Sequence, residues 1–304
     1  MAFVPGYIAL YESGELESRI KQLLSFLASC TLCPRECKVN RLKGEIGFCG
    51  AGSHLAVSSV FPHFGEERPL VGKGGSGTIF LTHCNLRCVF CQNYDISHLG
   101  QGEKVSSEEM SQYMVNLQQR GCHNINFVTP THFSPQIIAS LPKAVELGLR
   151  LPLVYNCGGY ESLELIKLLE GIIDIYMPDA KFADPEVARK YCQAPDYPEV
   201  NKNVLKEMHR QTGVLKLNQE GIAERGLLIR YLVMPEGLAG SKKIIRFIAE
   251  ELSKESYVNI MAQYYPQFKA AYYPELNRMI TSQEYYDVTA LARSFGLYRG
   301  FPEI

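Results

Sequence analysis

Three closely spaced thiols are the part of this sequence most suited to chemistry. Cys84, Cys88 and Cys91 have the spacing C-x3-C-x2-C and follow an apolar run. A [4Fe-4S] cluster normally takes four thiolates, so a cluster held by three leaves one iron open to an outside ligand. A structural zinc ion would need a fourth ligand, for which His83 or His98 is the candidate, and cysteines that merely fill space are a further alternative. The spacing favours the iron–sulfur cluster.

A second set of four thiols lies near the amino terminus. Cys30, Cys33, Cys37 and Cys49 have the spacing C-x2-C-x3-C-x11-C, with Pro34 and several glycines forming turns among them. Four cysteines can close a tetrahedral zinc site or hold an auxiliary [4Fe-4S] cluster. The spacing alone does not decide between the two, and zinc is slightly favoured over the cluster. Unrelated packing cysteines are the third alternative, which the crowding of these residues argues against.

The elements that must position the triplet repeat along the rest of the chain. From about residue 77, short apolar runs alternate with helical patterns, which is typical of βα units around a parallel sheet. Six units predict an α/β fold, a partial (β/α)6 barrel that is open on one side. Barrel enzymes place their chemistry at the carboxyl ends of the strands, where the triplet is expected. The predicted strands are Gly77–His83, Asn124–Thr129, Leu151–Asn156, Ile172–Met177, Leu227–Met234 and Tyr257–Ala262.

Predicted helix starts separate these apolar runs. Residues 1–76 do not show the alternation of strands and helices. An amphipathic helix there carries its apolar residues at helical spacing and leads into the four-cysteine motif. The sequence therefore predicts two regions, an N-terminal metal-binding appendage (1–76) and a barrel with a C-terminal helix (77–304). The apolar residues of the first helix are Ile20, Leu23, Leu24 and Leu27. The predicted helix starts are the capping boxes Ser106/Glu109 and Thr281/Glu284 and the N-cap–proline pairs Ser134-Pro135 and Asp184-Pro185.

Composition narrows the class of protein. The chain has 304 residues, 46% of them hydrophobic, and its 31 basic residues nearly balance its 32 acidic ones. A large core is possible, and no basic field predicts binding to nucleic acid or an anionic membrane. We find no signal-peptide pattern and no run of 18 apolar residues, so a cytoplasmic protein is expected. In such a protein, clustered cysteines indicate metal ligands or redox groups rather than disulfides.

The triplet, with an aromatic residue before its last cysteine and a G-x-x-F strand before it, resembles the radical S-adenosylmethionine (SAM) superfamily. Within that superfamily it is most similar to the pyruvate formate-lyase activating enzymes, over residues 77 to about 265. The resemblance implies that the amino and carboxylate groups of SAM chelate the open iron, and that one electron cleaves SAM to methionine and a 5′-deoxyadenosyl radical. It also implies that Phe90 lies beside the adenine. The N-terminal C-x2-C-P-x2-C and the later G-F-C-G resemble an uncharacterised iron–sulfur subgroup of activating-enzyme-like proteins.

Residues after the second and third predicted strands are candidates for contact with SAM. Where family members commonly carry Gly-Gly-Glu, this chain has Thr129-Pro130-Thr131, whose carbonyl groups can still accept hydrogen bonds from the SAM amino group. Pro130 could instead serve only to end the strand. Asn156 resembles the asparagine of the activating enzymes' Asn-Gly turn, or it caps the next helix. Cys157 is interpreted as a small packed residue.

Three later strands add charged and polar candidates. Asp179 and Lys181 resemble the Asp-x-Lys of the activating enzymes and could bind SAM or a substrate backbone, which makes Lys181 a catalytic candidate. The alternative is an exposed ion pair of little energetic consequence. Arg230 shares a strand face with two leucines and needs an anionic partner if it is buried, either the SAM carboxylate or Asp179. Gln263 could read an adenine edge.

These residues and the resemblance together imply a radical SAM enzyme, an activating-enzyme-like oxidoreductase that abstracts a hydrogen atom from an unidentified substrate such as a protein. The expected cofactors are a [4Fe-4S] cluster, SAM and a second metal site. A flavodoxin- or ferredoxin-type protein is the expected electron donor, while nucleic acid and membrane are not expected partners. The alternatives are a non-catalytic iron–sulfur electron carrier, which the three-cysteine set argues against, and a zinc-dependent binding module, for which the near-neutral composition offers no obvious surface.

Overall fold

The computed structural model describes residues 3–302 of the chain. Within this part, nine strands form one sheet in the order β3-β1-β2-β4-β5-β6-β8-β7, with β9 paired to β8 on a separate path. The strands are β1 Leu55–His63, β2 Ser76–Leu81, β3 Glu103–Val105, β4 Ile125–Val128, β5 Leu153–Cys157, β6 Ile175–Pro178, β7 Lys216–Leu217, β8 Ala223–Leu232 and β9 Tyr257–Met261.

The six predicted strands are confirmed as β2, β4, β5, β6, β8 and β9. Every pairing among them is parallel, so their carboxyl ends meet at one edge of the sheet. No pairing joins β2 to β9 within residues 3–302, which leaves the barrel open between these two strands. The prediction of an α/β partial barrel, open on one side, is therefore confirmed.

Three strands were not predicted, and the longest of them belongs to the predicted appendage. β1 pairs antiparallel with β2 and β3, and thus extends the sheet at the edge beside the opening. The predicted boundary between residues 76 and 77 falls inside β2, one residue after its start, and β1 of the predicted appendage is hydrogen-bonded to that strand. The outer limits of the two predicted regions, residues 1–2 and 303–304, lie outside the described residues.

Helices cover the outside of the barrel. Residues 3–302 contain eleven α-helices, of which α10 continues into a π-helical turn, Ile248–Leu252. No helix among them is both long and apolar enough to span a lipid bilayer. The helices are α1 Gly6–Glu12, α2 Glu15–Ser25, α3 Arg68–Val71, α4 Tyr94–Ser97, α5 Ser107–Gln119, α6 Ser134–Glu146, α7 Leu163–Leu168, α8 Pro185–Cys192, α9 Tyr197–Thr212, α10 Ser241–Phe247 and α11 Ser282–Ser294.

Three of the four predicted helix starts are confirmed. The capping boxes before α5 and α11 are both formed, and the Asp184 side chain accepts hydrogen bonds from two backbone N–H groups of α8. The prediction of Ser134 as an N-cap is wrong. A 3-10 turn, Thr131–Phe133, runs directly into α6, so Ser134 is already helical and its hydroxyl donates to the Pro130 carbonyl oxygen.

The inside of the barrel has an apolar floor and a polar upper part. Buried aliphatic residues from β5, β6 and β8 pack together at the bottom, and Leu70 of α3 joins them from the N-terminal segment. Side chains two residues further along each strand face the same interior, because residues alternate between the faces of a strand. By this alternation Asn156 and Arg230 lie above Val154 and Leu228, at the edge where the parallel strands end, while Met177 still belongs to the apolar floor.

Candidate functional site

The cysteine triplet lies on the loop that leaves β2 and faces one cavity of about 360 Å³ at the carboxyl ends of the strands. All three thiols line this cavity and are free, not disulfide-bonded. The loop is held in place by backbone hydrogen bonds from Val89 N to Tyr191 O (2.9 Å) and from Lys269 N to Val89 O (2.9 Å). The predicted placement of the triplet at the mouth of the barrel is therefore what the fold produces.

The surroundings of the triplet fit a cationic group bound between the thiols. Burial raises the pKa of Cys84 and of Cys91, and contact with the Cys192 thiol together with burial raises that of Cys88. Buried thiolates are unfavourable without compensating positive charge, which iron supplies. The Leu86 N–H donates to Cys84 Sγ (3.4 Å), and such hydrogen bonds to sulfur are common around clusters. The donor set thus fits a [4Fe-4S] cluster with three protein ligands.

Neither histidine considered as a zinc ligand reaches this cavity. His83 lies beside Gly50 and Gly100, and His98 packs on the Phe268 ring, with ring centroids 4.7 Å apart. Among residues 3–302, neither contributes to the cavity wall that the three thiols share. A zinc site completed by these histidines is therefore not supported.

Phe90, the predicted neighbour of the adenine, forms an aromatic wall of the cavity. Its ring lies 6.0 Å from that of Phe182 in an edge-on arrangement and 6.1 Å from that of Tyr264. Gln263 is exposed at the rim, where its carbonyl oxygen accepts a hydrogen bond from Gln92 Nε2 (3.2 Å). Both predicted residues therefore line the cavity of the three thiols, and contact of either with an adenine stays a prediction.

A charged triad lines the same cavity. Lys181 Nζ donates to Asp179 Oδ2 (2.6 Å), and Arg230 Nε donates to Asp179 Oδ1 (2.8 Å). All three side chains are at least four-fifths buried, so the exposed ion pair considered above is excluded. Although burial alone would raise the pKa of Asp179, the positive charges of Arg230 and Lys181 outweigh it and hold that pKa below its ordinary value. Of the two partners expected for Arg230, the structure supplies Asp179.

The residues after β4 and β5 divide into two groups. Thr129, with φ of 59°, and Asn156 both line the cavity, and Thr129 N donates to Asn156 O (2.8 Å). Asn156 is part of β5, so the alternative that it caps a helix is wrong; Ser162 caps α7. Thr131 does not line the cavity, because its hydroxyl turns away and donates to Glu161 Oε1 (2.9 Å). The prediction that Thr131 contacts SAM is therefore not supported.

Pro130 and Cys157 fit the plainer interpretations. β4 ends at Val128, and Pro130 starts the turn that follows. Cys157 is fully buried at the end of β5, as expected of a packed residue, although one side of it also borders the cavity.

Sequence reasoning missed the part of the cavity wall that comes from outside the predicted barrel. His63 at the end of β1 and three residues of the segment that follows it, Gly65, Glu66 and Glu67, line the cavity beside the opening of the barrel. Burial and the neighbouring Glu67 charge raise the pKa of Glu66 to about 8. No spacing rule links this segment to the barrel, because it reaches the cavity only through the antiparallel pairing of β1 with β2. The available signal was the β-branched and aromatic content of β1, Val57, Val60 and Phe61, although two serines and a proline interrupt it.

Residues 78–236 match the Radical SAM superfamily. The chain belongs to the radical SAM superfamily. A Methanocaldococcus jannaschii protein, Uncharacterized protein MJ0674, is 32% identical over 292 residues, which are 93% of this chain and 79% of that protein. Enzymes of the superfamily bind a [4Fe-4S] cluster and SAM, and this chain is a radical SAM enzyme.

Solved structures of radical SAM proteins are similar at low sequence identity. The structure of TYW1 with a lysine-pyruvate adduct bound is 13% identical, with a TM-score of 0.45, and the match covers 73% of this chain and 74% of that one. The methyltransferase TsrM from Kitasatospora setae, with cobalamin and a [4Fe-4S] cluster bound, is 15% identical with a TM-score of 0.43. That match covers 62% of this chain and 36% of TsrM.

The four N-terminal cysteines of this radical SAM chain surround a second, much smaller cavity of about 10 Å³. Burial, and then the other three thiols, raise the pKa of Cys33 to about 12, although the Arg35 N–H acts in the opposite direction. Backbone N–H groups point at two sulfurs, from Phe48 to Cys37 Sγ (3.3 Å) and from Ala51 to Cys49 Sγ (3.5 Å). The four thiols thus line one cavity, and a metal held by them stays a prediction.

Neither thiol set has the geometry of a single-ion site. No group of three or more His, Cys, Asp or Glu side chains between residues 3 and 302 is arranged to hold a metal ion. A zinc ion draws four sulfurs to about 2.3 Å from one centre, whereas each thiolate of a cluster binds a different iron. Zinc and an auxiliary cluster at the N-terminal set therefore both stay predictions.

Two arginines tie the N-terminal thiol loop to the triplet loop. Arg87 Nη2 donates to the Phe48 carbonyl oxygen (2.8 Å), and Arg35 Nε donates to the Asn85 carbonyl oxygen (3.2 Å). The Arg35 guanidinium also lies 3.9 Å from the centre of the Phe48 ring. The two predicted metal sites of the radical SAM chain therefore share one packed interface.

Proposed function

We propose that this radical SAM enzyme abstracts a hydrogen atom from a protein or another bulky substrate, in the manner of the pyruvate formate-lyase activating enzymes. The observation that carries the proposal is the cavity that the triplet shares with the charged triad, because it opens to solvent. Gln92, Asn93 and Gln263 line it and are exposed at its rim. A substrate too large to enter whole can therefore present one group through this mouth.

When bound, the cluster and SAM supply a 5′-deoxyadenosyl radical through one-electron cleavage of the sulfonium. The chain's own residues hold and enclose them. Cys84, Cys88 and Cys91 would bind three irons and leave the fourth open. Phe90 offers an apolar face for the adenine.

The charged triad would serve the polar end of SAM or of the substrate. Arg230 and Lys181 carry positive charge into a buried region, and their shared partner Asp179 fixes both in position. Each cation retains donors beyond the hydrogen bond to Asp179, so a carboxylate could bind beside them. Asn156 and the Thr129 carbonyl group would add neutral hydrogen-bond partners at the same edge.

We further propose that the N-terminal thiols hold an auxiliary [4Fe-4S] cluster in a small N-terminal region. Support comes from the convergence of four buried thiols on one cavity and from the N–H groups directed at their sulfurs. Zinc at the same four thiols is the alternative, and metal analysis distinguishes the two.

An acidic flavodoxin- or ferredoxin-type protein is our proposed electron donor. A groove of about 310 Å³ on the outside of α9 and α10 carries four exposed basic side chains. Phe182 lines both this groove and the thiol cavity, so a donor bound there would lie one side chain away from the cavity. The basic side chains are Lys202, Lys242, Lys243 and Arg246.

The alternative of a non-catalytic electron carrier is not favoured, because the chain belongs to a superfamily of enzymes. The substrate proposal is tested by deuterium transfer. Reconstituted enzyme is incubated with SAM and a reductant in extracts of fully deuterated cells that naturally express the protein, separated into macromolecules and small molecules. We expect deuterium in 5′-deoxyadenosine from the macromolecular fraction only, and none with the triple alanine variant of the triplet. Transfer from the small-molecule fraction alone would contradict the proposal.

A further inference from the structure

A pair of buried glutamates lies in the cavity wall beside the opening of the barrel. The Glu66 and Glu67 side chains are adjacent, and each is about nine-tenths buried. Glu67 Oε1 accepts a hydrogen bond from Asn259 Nδ2 of β9 (3.1 Å). Asn259 is paired in register with Arg230 of β8, so the glutamates reach the level of the charged triad.

Several polar atoms around this pair have no hydrogen-bond partner. Glu67 Oε2 is buried and unpaired, and so is His63 Nδ1, which lies 3.7 Å from Glu66 Oε1. Asn126 of β4 is fully buried and lies near the Glu66 carboxyl, yet neither its amide oxygen nor its amide nitrogen forms a hydrogen bond among the described residues. Asn126 shares its strand face with Val128, which lines the cavity.

Unpaired buried polar groups are rare, and each requires an explanation. Here the unpaired atoms belong to His63 of β1, Asn126 of β4 and Glu67 of the segment before α3. They lie together around the carboxyl groups of Glu66 and Glu67. A ligand with several N–H donors would satisfy the free carboxylate oxygen and the amide oxygen together. A ligand of acceptors alone would leave the carboxylates unpaired.

The charged side chains of the cavity wall indicate that the ligand carries a positive charge. Lys181 and Arg230 both already donate to Asp179. With both glutamates ionised, three carboxylates face two cationic groups, and the set carries one excess negative charge when His63 is neutral. In the empty cavity a proton held between Glu66 and Glu67 removes this excess, in agreement with the raised pKa of Glu66. A bound monocation would replace that proton.

We propose that Glu66 and Glu67 form a substrate-recognition site for a cationic nitrogen group, an ammonium or a guanidinium. The inference rests on the proposed function only in taking this cavity as the substrate site. Because the pair lies deep in the wall and the mouth is open, the recognised group belongs to an extended part of the substrate that reaches in from the rim. The proton leaves the pair for solvent as the cation binds.

Binding of small probes to the full SAM-free chain tests the proposal. Isothermal titration measures the affinity of methylguanidinium and methylammonium against the neutral isostere N-methylurea. We expect one of the cations to bind about tenfold or more tightly than N-methylurea, because ionic hydrogen bonds are the stronger kind. Which cation binds better distinguishes a guanidino from an amino substrate. Titrations near pH 7 in buffers of different ionisation enthalpy should also show net proton release.

Variants of the two glutamates, compared with an exposed control, test whether the cation binds at Glu66 and Glu67. Glu66→Gln and Glu67→Gln should each weaken cation binding about tenfold or more, while Glu164→Gln, an exposed control on α7, should not. Equal affinity for N-methylurea, no cation binding, or unchanged binding in both pair variants would overturn the proposal. The comparison of the two cations with N-methylurea uses the unaltered chain, so it tests the proposal even if a variant fails to fold. Formation of 5′-deoxyadenosine is assayed separately, so failure of the recognition site and failure of the radical chemistry are distinguishable.

Discussion

Cys192 Sγ at the end of α8 lies 3.1 Å from Cys88 Sγ, the middle thiol of the triplet. Both thiols are buried, and each is free. Disulfide formation between the two cysteines therefore reports whether Cys88 is bound to iron, because a thiolate bound to iron is not available to react with a neighbouring thiol.

We expect the thiol oxidant diamide to join Cys88 to Cys192 in cluster-free protein, with two protons and two electrons passing to diamide. Mass spectrometry after tryptic digestion should find residues 88–104 linked to residues 191–202. Cys192→Ser should remove the link, and anaerobically reconstituted protein should resist it. Equal linkage with and without the cluster would contradict the assignment of Cys88 as an iron ligand.

The N-terminal thiols should hold metal independently of the triplet. Replacing Cys30, Cys33, Cys37 and Cys49 by serine should remove about four irons per chain while the triplet cluster persists, since each site has its own ligands. Iron, zinc and sulfide analysis of anaerobically purified protein measures this, with Cys122→Ser as a control for a buried cysteine outside both sites. Zinc in place of iron would contradict the auxiliary cluster, and no metal would reject both interpretations.

The basic groove predicts a charge-dependent reaction with the electron donor. The double variant Lys242→Glu/Lys243→Glu should slow reduction of the cluster by an acidic flavodoxin or ferredoxin about tenfold or more at low ionic strength. Reduction by dithionite, which needs no docking surface, should keep its rate. Stopped-flow absorbance measures both, with Lys73→Glu/Lys104→Glu as an exposed control of equal charge change. An equal loss of rate with both reductants would contradict docking at the groove.

Ionisation of Glu66 should make the folded chain less stable as the pH rises. Burial and the Glu67 charge raise its pKa from 4.5 to about 8, despite the positive charge of Arg230 and the amide of Asn126, while His63 lies on its other side. Between these pH values the folded chain retains a proton that the unfolded chain has released, so the free energy of unfolding falls as the pH rises.

Glu66→Gln does not ionise and should escape this loss. Its stability advantage over the parent chain should grow from about pH 4.5 to about pH 8 and reach roughly a few kcal/mol at the alkaline end. Urea unfolding of cluster-free protein across this range measures the difference, with Glu164→Gln as the exposed control. Parallel pH profiles for the parent and Glu66→Gln would show that Glu66 titrates normally.

The sequence analysis predicted those strands and helix starts that a short stretch of sequence determines by itself. All six parallel strands were found because strands covered on both faces are continuous apolar runs. β1 was missed because Ser58, Ser59 and Pro62 interrupt its pattern and one face is partly exposed at the sheet edge. Ser134 was predicted as an N-cap because nothing in the local pattern shows that a 3-10 turn leads into α6.

The residues of the candidate site divide in the same way, into those placed by local pattern and those placed by contacts between distant parts of the chain. The triplet, Phe90 and the Asp179–Lys181 pair were predicted because short spacing and strand ends place them. Glu66 and Glu67 were not, because they reach the cavity through pairing between distant strands, and two adjacent glutamates in a loop have no distinguishing pattern. The partner of Arg230 was left open between SAM and Asp179, and only the three-dimensional arrangement shows the 2.8 Å hydrogen bond to Asp179.

The central claim is that three thiols hold a cluster that cleaves SAM, and product analysis tests it most directly. Protein reconstituted anaerobically with iron and sulfide is mixed with SAM and dithionite, and 5′-deoxyadenosine is measured by chromatography and mass spectrometry. We predict its formation by the parent chain and by Cys122→Ser, and its loss in a folded Cys84→Ala/Cys88→Ala/Cys91→Ala variant. Formation at the parental rate in the triple variant, or none in parent protein with a full complement of iron, would contradict the account.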